Sequence, residues 1–330
     1  MEHGFVSVPG ARIYYEDYTP APAPHRCTLI YHHGMTGASS QVGAFARSLS
    51  ETGVRVVLLD SRGCGHTQCD HPSVATQYTQ AQMAADLVAV ANWLGIGRFH
   101  VGGQSYGTRV SLFTAAIAKG RVQKIVLVVP PPITASWGPA DESMDDAAMM
   151  ASFETMRIQA VACDPAQPTQ EQLQARVPEW KAACTARKNL PDALAVREMR
   201  RAASNSLNPG FDTYKLQVVM DALAFPPTEE QLRPLLSDVP VLCLFGGEDR
   251  LTWTFLEKQQ QLVLPHCQLV NFDKAGHEVT MELPDKCARA VSDFLLDDSS
   301  ENWPMDRRTE FMTKAVRAGK ASAAVYQARL

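Results

Sequence analysis

The sequence predicts an α/β protein, a doubly wound and mostly parallel sheet carrying a helical insertion. Three observations predict it. Short apolar runs alternate with helix-like runs up to Val129. The alternation stops at Pro130 and resumes only at Val239. A G-x-S-x-G element, Gly103 to Gly107, lies between a strand-like run and a helix-like run.

The elements follow in order. Residues 5–8 and 13–18 read as a hairpin around Pro9-Gly10, and a proline-rich connector occupies 20–24. The runs 27–31 and 54–59 are continuously apolar, as expected of strands buried on both faces. Residues 41–51 between them read as a helix. Thr79 caps a second helix, with Met83, Leu87, Val90, Ala91 and Leu94 at helical spacing. Residues 98–101 are a strand, 108–119 a helix and 125–129 a strand, which Pro130-Pro131-Pro132 ends. Residues 133–236 are helix-like, with candidate helices at 145–160, 169–186, 192–203 and 214–223. Strands return at 240–245 and within 263–272, and Glu282-Leu283-Pro284-Asp285 opens the last helix of the sheet domain. The alternation implies a parallel sheet. Residues 1–132 and 237–298 then form the core domain, 133–236 a helical cap and 299–330 a C-terminal helical extension. In that extension Phe311, Met312, Ala315 and Val316 share a helical face, while Gly319 weakens the pattern. A docked helix and a frayed terminus both fit it.

Composition narrows the function. A chain of 330 residues with 45% hydrophobic content has room for a large core. A net charge of -4 gives no electrostatic case for nucleic acid or an anionic membrane. No apolar run reaches bilayer length, and the N-terminus lacks a basic region followed by an apolar core. The expected location is therefore the cytoplasm. Of the eight cysteines, Cys27, Cys243 and Cys287 fall in apolar elements and read as buried thiols. Cys64 and Cys69, close together in a loop, read as reduced. No C-x-x-C pair or clustered Cys/His set suggests a metal, and no cofactor is expected. The expected partner is a small-molecule substrate; a homodimer remains open.

The glycine-flanked serine carries the chemistry. A serine between a strand and a helix needs a tight, strained turn, which small neighbours permit. The helix N-terminus aims free amides at the same spot, favouring a developing oxyanion. A hydroxyl also needs a base and an orienting acid. Asp249, in the loop after the strand at 240–245, and His277, in the loop after the next strand, supply both. Both sit past the C-terminal ends of strands, where open α/β sheets build their sites.

These residues resemble the α/β-hydrolase superfamily, in its capped esterase, lactonase and epoxide-hydrolase branch. The stretch Leu29-Ile30-Tyr31-His32-His33-Gly34-Met35-Thr36-Gly37 resembles the strand and H-G-x-x-G loop of the oxyanion hole. Asp60-Ser61-Arg62-Gly63-Cys64-Gly65-His66-Thr67 resembles the family's D-x-R-G-x-G-x-S/T turn. The resemblance covers about residues 4–296, the middle only loosely. It implies Ser105 as nucleophile, His277 as base, Asp249 as acid and the amides of Met35 and Tyr106 as oxyanion hole. The implied cap would close over the serine and shape the pocket, with Trp137, Met149 and Met156 as candidate substrate contacts. Apolar residues on cap helices serve equally well as internal core, and Met150 and Trp180 stand in the same position.

Several residues have competing readings. Glu248 and Asp273 are rivals to Asp249; Asp273 reads better as a surface loop residue. Asp60, Arg62 and His66 read as architectural, and His100 as a satisfied core histidine. His32 and His33 suggest metal, but adjacent strand residues face opposite ways, so a structural role is preferred.

The expected activity is cofactor-free hydrolysis of an ester, lactone or thioester of a small apolar substrate through an acyl-enzyme. The branches that use a carboxylate nucleophile are excluded by Ser105. Enzymes resembling proline iminopeptidases usually carry a G-G-P-G type oxyanion loop, from which Met35-Thr36-Gly37 departs. Carbon–carbon bond hydrolases share the same triad, and lyase or ligand-binding members share the scaffold; these stay open.

Overall fold

The computed structural model describes residues 1–20, 24–35, 37–70, 78–118, 120–130, 169–183, 239–247, 249 and 267–297, together with 192, 196 and 199. Within them a nine-stranded sheet forms. The N-terminal hairpin is β1 (Glu2–Val8) and β2 (Ala11–Tyr18), turning at Gly10 with φ 77°. Then come β3 (Cys27–His32), α1 (Ser39–Ser50), β4 (Val54–Leu59) and a two-residue strand β5 (Gln68–Cys69). The helix α2 (Gln80–Trp93) begins at Thr79, whose hydroxyl accepts the amide of Gln82. The strand β6 (Phe99–Gln104), the helix α3 (Tyr106–Ile117) and β7 (Val122–Val128) follow. With β5 counted, β7 is the strand that leads to Pro130.

From residues 133–236 one helix is described, α4 (Gln170–Ala183). Thr169 and Gln172 cap it reciprocally: the Gln172 amide donates to Thr169 Oγ1 and the Thr169 amide to Gln172 Oε1. Leu173 and Val177 are buried. Of the helix expected at 192–203 only Asp192, Val196 and Met199 are described, each in helical backbone, while the helices expected at 145–160 and 214–223 and the C-terminal extension lie outside the described residues. The chain resumes with β8 (Val241–Gly246), β9 (Cys267–Phe272), α5 (Val279–Glu282) and α6 (Pro284–Leu296).

The strand order is β1-β2-β4-β3-β6-β7-β8-β9, with β5 beside β2. Pairing is antiparallel from β1 to β4 and parallel from β4 to β9. Alternate residues of each central strand enter opposite cores. Val57, Leu59, Ile125, Leu127, Val241 and Cys243 pack with Leu87 and Val90 of α2 and Leu112 of α3. Val56, Leu58, Val126, Val128, Leu242 and Leu244 pack with Phe45 and Leu49 of α1 and Val291 and Phe294 of α6. Burial on both faces is why these strands are apolar without alternation. Burying one such side chain contributes about 1.5–3 kcal/mol.

The order reverses at β3: the chain proceeds to β4 on one side and β6 on the other. Such a reversal opens a crevice beyond the strand ends, where ligands of open α/β sheets bind. Gly34 and Met35 follow β3 at this crevice and Ser105 follows β6.

Candidate active site

Ser105 stands between β6 and α3 with φ 51° and ψ -120°, a left-handed backbone for a residue with a side chain. Such a conformation costs about 1–3 kcal/mol and persists only when its surroundings impose it. The amide of Ser105 donates to the carbonyl of Val128 at 2.8 Å, and its carbonyl accepts from the amide and hydroxyl of Thr108. The flanking glycines leave no alternative. A Cβ on Gly103 would strike the backbone of Gly107, and a Cβ on Gly107 would meet the carbonyls of His32 and His33 at 2.5 Å. Strand, helix and the end of β3 therefore touch, backbone against backbone. Ser105, Gly34 and Met35 are half-buried in surroundings that are otherwise fully buried. A Cβ on Gly34 would lie 3.7 Å from Cβ of Ser105, so the loop after β3 faces the hydroxyl-bearing residue.

Side chains of the two proposed amide donors share one apolar cluster. Tyr106 is buried with Tyr78, Met83, Ala84 and Val110, and Met35 packs against them. Tyr106 is the first residue of α3, so its amide has no partner within the helix, which suits it to an oxyanion.

His33 lies just past β3, and its ring stacks 4.9 Å from that of His32 rather than facing away. The strand ends between them, so strand alternation no longer applies. Nδ1 of His33 donates to the Gly34 carbonyl at 2.5 Å, and Nε2 accepts from the Ser61 amide at 3.0 Å. Burial holds His33 neutral, lowering its pKa to about 4, and burial beside His33 lowers His32 to about 3. Two neutral rings, one bonded through both nitrogens to the loop, brace the turn. Among the described residues no group of His, Cys, Asp and Glu could hold a metal ion.

The turn after β4 is architectural. Asp60 is fully buried and accepts from the amides of Ser39 at 2.6 Å and His66 at 2.7 Å. Arg62 pairs with Asp86 at 2.6 Å, both almost fully buried, and donates to the Pro9 carbonyl. His66 is exposed. His100 is a buried strand residue, but its Nδ1 has no partner among the described residues, and burial lowers its pKa to about 4.

On the other side of the crevice, Nδ1 of His277 donates to Oδ2 of Asp249 at 3.0 Å. Asp249 is 2% exposed and His277 8%. The loops are set by close approach: a Cβ on Gly246 would collide with the carbonyls of Gly276 and Ala275, and one on Gly247 with Asp273. The Gly276 amide donates to both carboxylate oxygens of Glu282 at 3.1 Å. Asp273 is exposed and accepts from Asn271. The rival Glu248 lies outside the described residues, as do Trp137, Met149, Met150 and Met156; Trp180 is described only as part of α4. Cys69 and Cys287 are free thiols.

Three residues of this region escaped the sequence reading. Gln104 Nε2 donates to Oε2 of Glu278, and Thr280 Oγ1 donates to Oε1 of Gln104. These contacts join the segment before Ser105 to the segment after His277. Val129 also escaped it: a buried, β-branched residue at φ 43° whose amide donates to the Leu244 carbonyl.

Comparison with known proteins gives a consistent picture. A 118-residue stretch is 34% identical to the proline iminopeptidase of Neisseria gonorrhoeae, covering 35% of this chain and 36% of that protein. A 110-residue stretch is 32% identical to the sn-1-specific diacylglycerol lipase ABHD11 of Danio rerio, covering 33% of each. The chain thus spans about a third of the length of these curated relatives. A solved carboxylesterase structure from Nitrososphaera gargenis superposes with a TM-score of 0.64 over 91% of this chain and 100% of that chain, at 20% identity, a likeness of fold alone. No helix among the described residues is long and apolar enough to cross a membrane. The family model for the alpha/beta hydrolase fold matches residues 28–284, from β3 through the histidine loop, and on that match the chain belongs to the α/β-hydrolase fold family.

Proposed function

We propose that the protein is a serine hydrolase that cleaves an ester, lactone or thioester of a small apolar substrate through an acyl-enzyme. Ser105 attacks the carbonyl, His277 accepts its proton and returns it to the leaving group, and Asp249 holds the imidazole with Nε2 toward the serine. The amides of Met35 and Tyr106 receive the oxyanion. The observation that carries the reading is the buried Asp249–His277 hydrogen bond, set in loops past β8 and β9, together with the strained backbone of Ser105, whose neighbour Gln104 bonds to Glu278 next to His277. The name of one similar protein, a lipase, supports the ester class. No cofactor enters this mechanism, and a small molecule is the only partner it needs. The segment 133–236 is proposed as a substrate-selecting cap.

Hydrolysis of an amide is a second reading, favoured by the similarity to the Neisseria gonorrhoeae iminopeptidase. A panel of p-nitrophenyl esters, lactones, acyl thioesters and proline p-nitroanilide separates the two. Turnover of the oxygen and sulfur esters, lost in Ser105→Ala, is the expected result. Turnover of the anilide with none of the esters would replace the first reading by the second.

A further inference from the structure

The glutamine before the nucleophile does more than fill a strand position. Gln104 is the last residue of β6 and is 2% exposed. Its amide reaches across to the segment that follows His277. Nε2 donates to the Glu278 carboxylate and Oε1 accepts from the Thr280 hydroxyl, which is fully buried. The orientation of the amide is dictated by chemistry. A carboxylate only accepts, so the NH2 must face Glu278 and the oxygen must face the hydroxyl. The result is a directed chain, Thr280 to Gln104 to Glu278, with one end charged and so stronger than a neutral bond. Gln104 and Ser105 are consecutive, as are Glu278 and His277, so the chain ties the two halves of the site one residue away from each reacting group.

We propose that Gln104, through Glu278 and Thr280, is a positioning residue that sets the distance between Ser105 and His277. The proposal rests on the serine-hydrolase reading. The elbow is fixed by backbone contacts of Gly103 and Gly107. The histidine loop has its own internal bonds, such as that of Gly276 to Glu282. Among the described residues, Gln104 joins one to the other through its side chain. Misplacement of a reacting group by about 1 Å costs on the order of 10²-fold in rate. Because the amide touches neither substrate nor the reacting atoms, its loss is expected in kcat with KM little changed.

The test measures the second-order rate of fluorophosphonate labelling, and kcat and KM on a small activated ester, in the full chain. Gln104→Glu sets two carboxylates against each other and should slow labelling on the order of 10²-fold. Glu278→Gln keeps an amide–amide hydrogen bond and should be milder. The double variant Gln104→Glu/Glu278→Gln restores a donor–acceptor chain with the charge exchanged, and should recover to within about tenfold of wild type. Thr280→Val removes one bond without adding charge and serves if Gln104→Glu does not fold; about tenfold slower labelling is expected. Thermal melting of each variant confirms the fold. Labelling of a folded Gln104→Glu or Thr280→Val at the wild-type rate, or a double variant as slow as Gln104→Glu, overturns the proposal. Ser105→Ala runs beside them: labelling that survives it overturns the serine reading and this proposal with it. Labelling lost there but untouched by the Gln104 variants overturns this proposal alone.

Discussion

The two sides of the crevice are built by different means. On the elbow side, β3, β6 and α3 meet through glycines, and Ser105 takes its left-handed conformation because neighbouring backbones leave no other. On the histidine side, Asp249 and His277 come from separate loops and are held by carboxylates: Asp249 on the imidazole, Glu282 on the Gly276 amide, Glu278 on Gln104. Steric exclusion tolerates no substitution but needs no particular charge. Hydrogen bonding tolerates shape changes but fails when a donor or acceptor is lost. The first kind of site is written in a short motif; the second is not.

The largest effects should come from breaking the chemistry that both sides share. Ser105→Ala and His277→Ala should each reduce kcat on the order of 10⁶-fold, and the double variant should be little worse, because the residues act as a unit. Steady-state kinetics on a turned-over ester checks this; additive losses would mean that the two sides do not act on one proton.

Next comes the acid that distinguishes the histidine side. Asp249→Asn should lose on the order of 10⁴ in kcat with the fold kept, since the amide permits the wrong tautomer. Asp273→Asn, at an exposed position, should stay within about threefold. The reversed pair of results would move the orienting acid to Asp273.

The turn after β4, outside both sides of the crevice, should break through stability instead. Asp86→Ala leaves the buried Arg62 guanidinium without its main partner and should destabilise by about 3–5 kcal/mol, with kcat per folded molecule unchanged. Denaturant unfolding and active-site titration together separate the two effects.

How much of this was legible follows the same division. The strands β3, β4, β7 and β8 were found because burial on both faces makes them continuously apolar. The elbow was found because Gly103 and Gly107 must be small. The strand β5 was missed: its two residues are defined by pairing with β2 and have no period of their own. Gln104, Glu278 and Thr280 were missed because their bonds span more than 170 residues, and no local pattern marks such partners. The stacking of His33 on His32 was misjudged because strand alternation was extended one residue beyond the end of β3. The strain at Val129 had no sequence signal, since β-branched residues seldom adopt that backbone.

The smallest effect sharpens the comparison through pH. His32, His33 and His100 are buried and neutral, with pKa values lowered to about 3, 4 and 4. Their unfolded forms take up protons near pH 6.5 while the folded forms do not, so the unfolded state binds more protons between about pH 4 and 6.5. Stability therefore falls as the medium is acidified through that window, by up to about 1.4 kcal/mol per pH unit for each histidine. His100→Leu should flatten the slope by about one histidine's share, read from denaturant midpoints at pH 7, 6 and 5. An unchanged slope would mean that His100 is protonated within the folded sheet.

The central claim, that the two sides converge on one reactive hydroxyl, is tested most directly by mass mapping of a fluorophosphonate adduct. The account predicts a single adduct on the peptide carrying Ser105, formed by wild type and by Asp273→Asn and strongly reduced in His277→Ala. An adduct on another residue, or labelling of Ser105 that does not depend on His277, would contradict it.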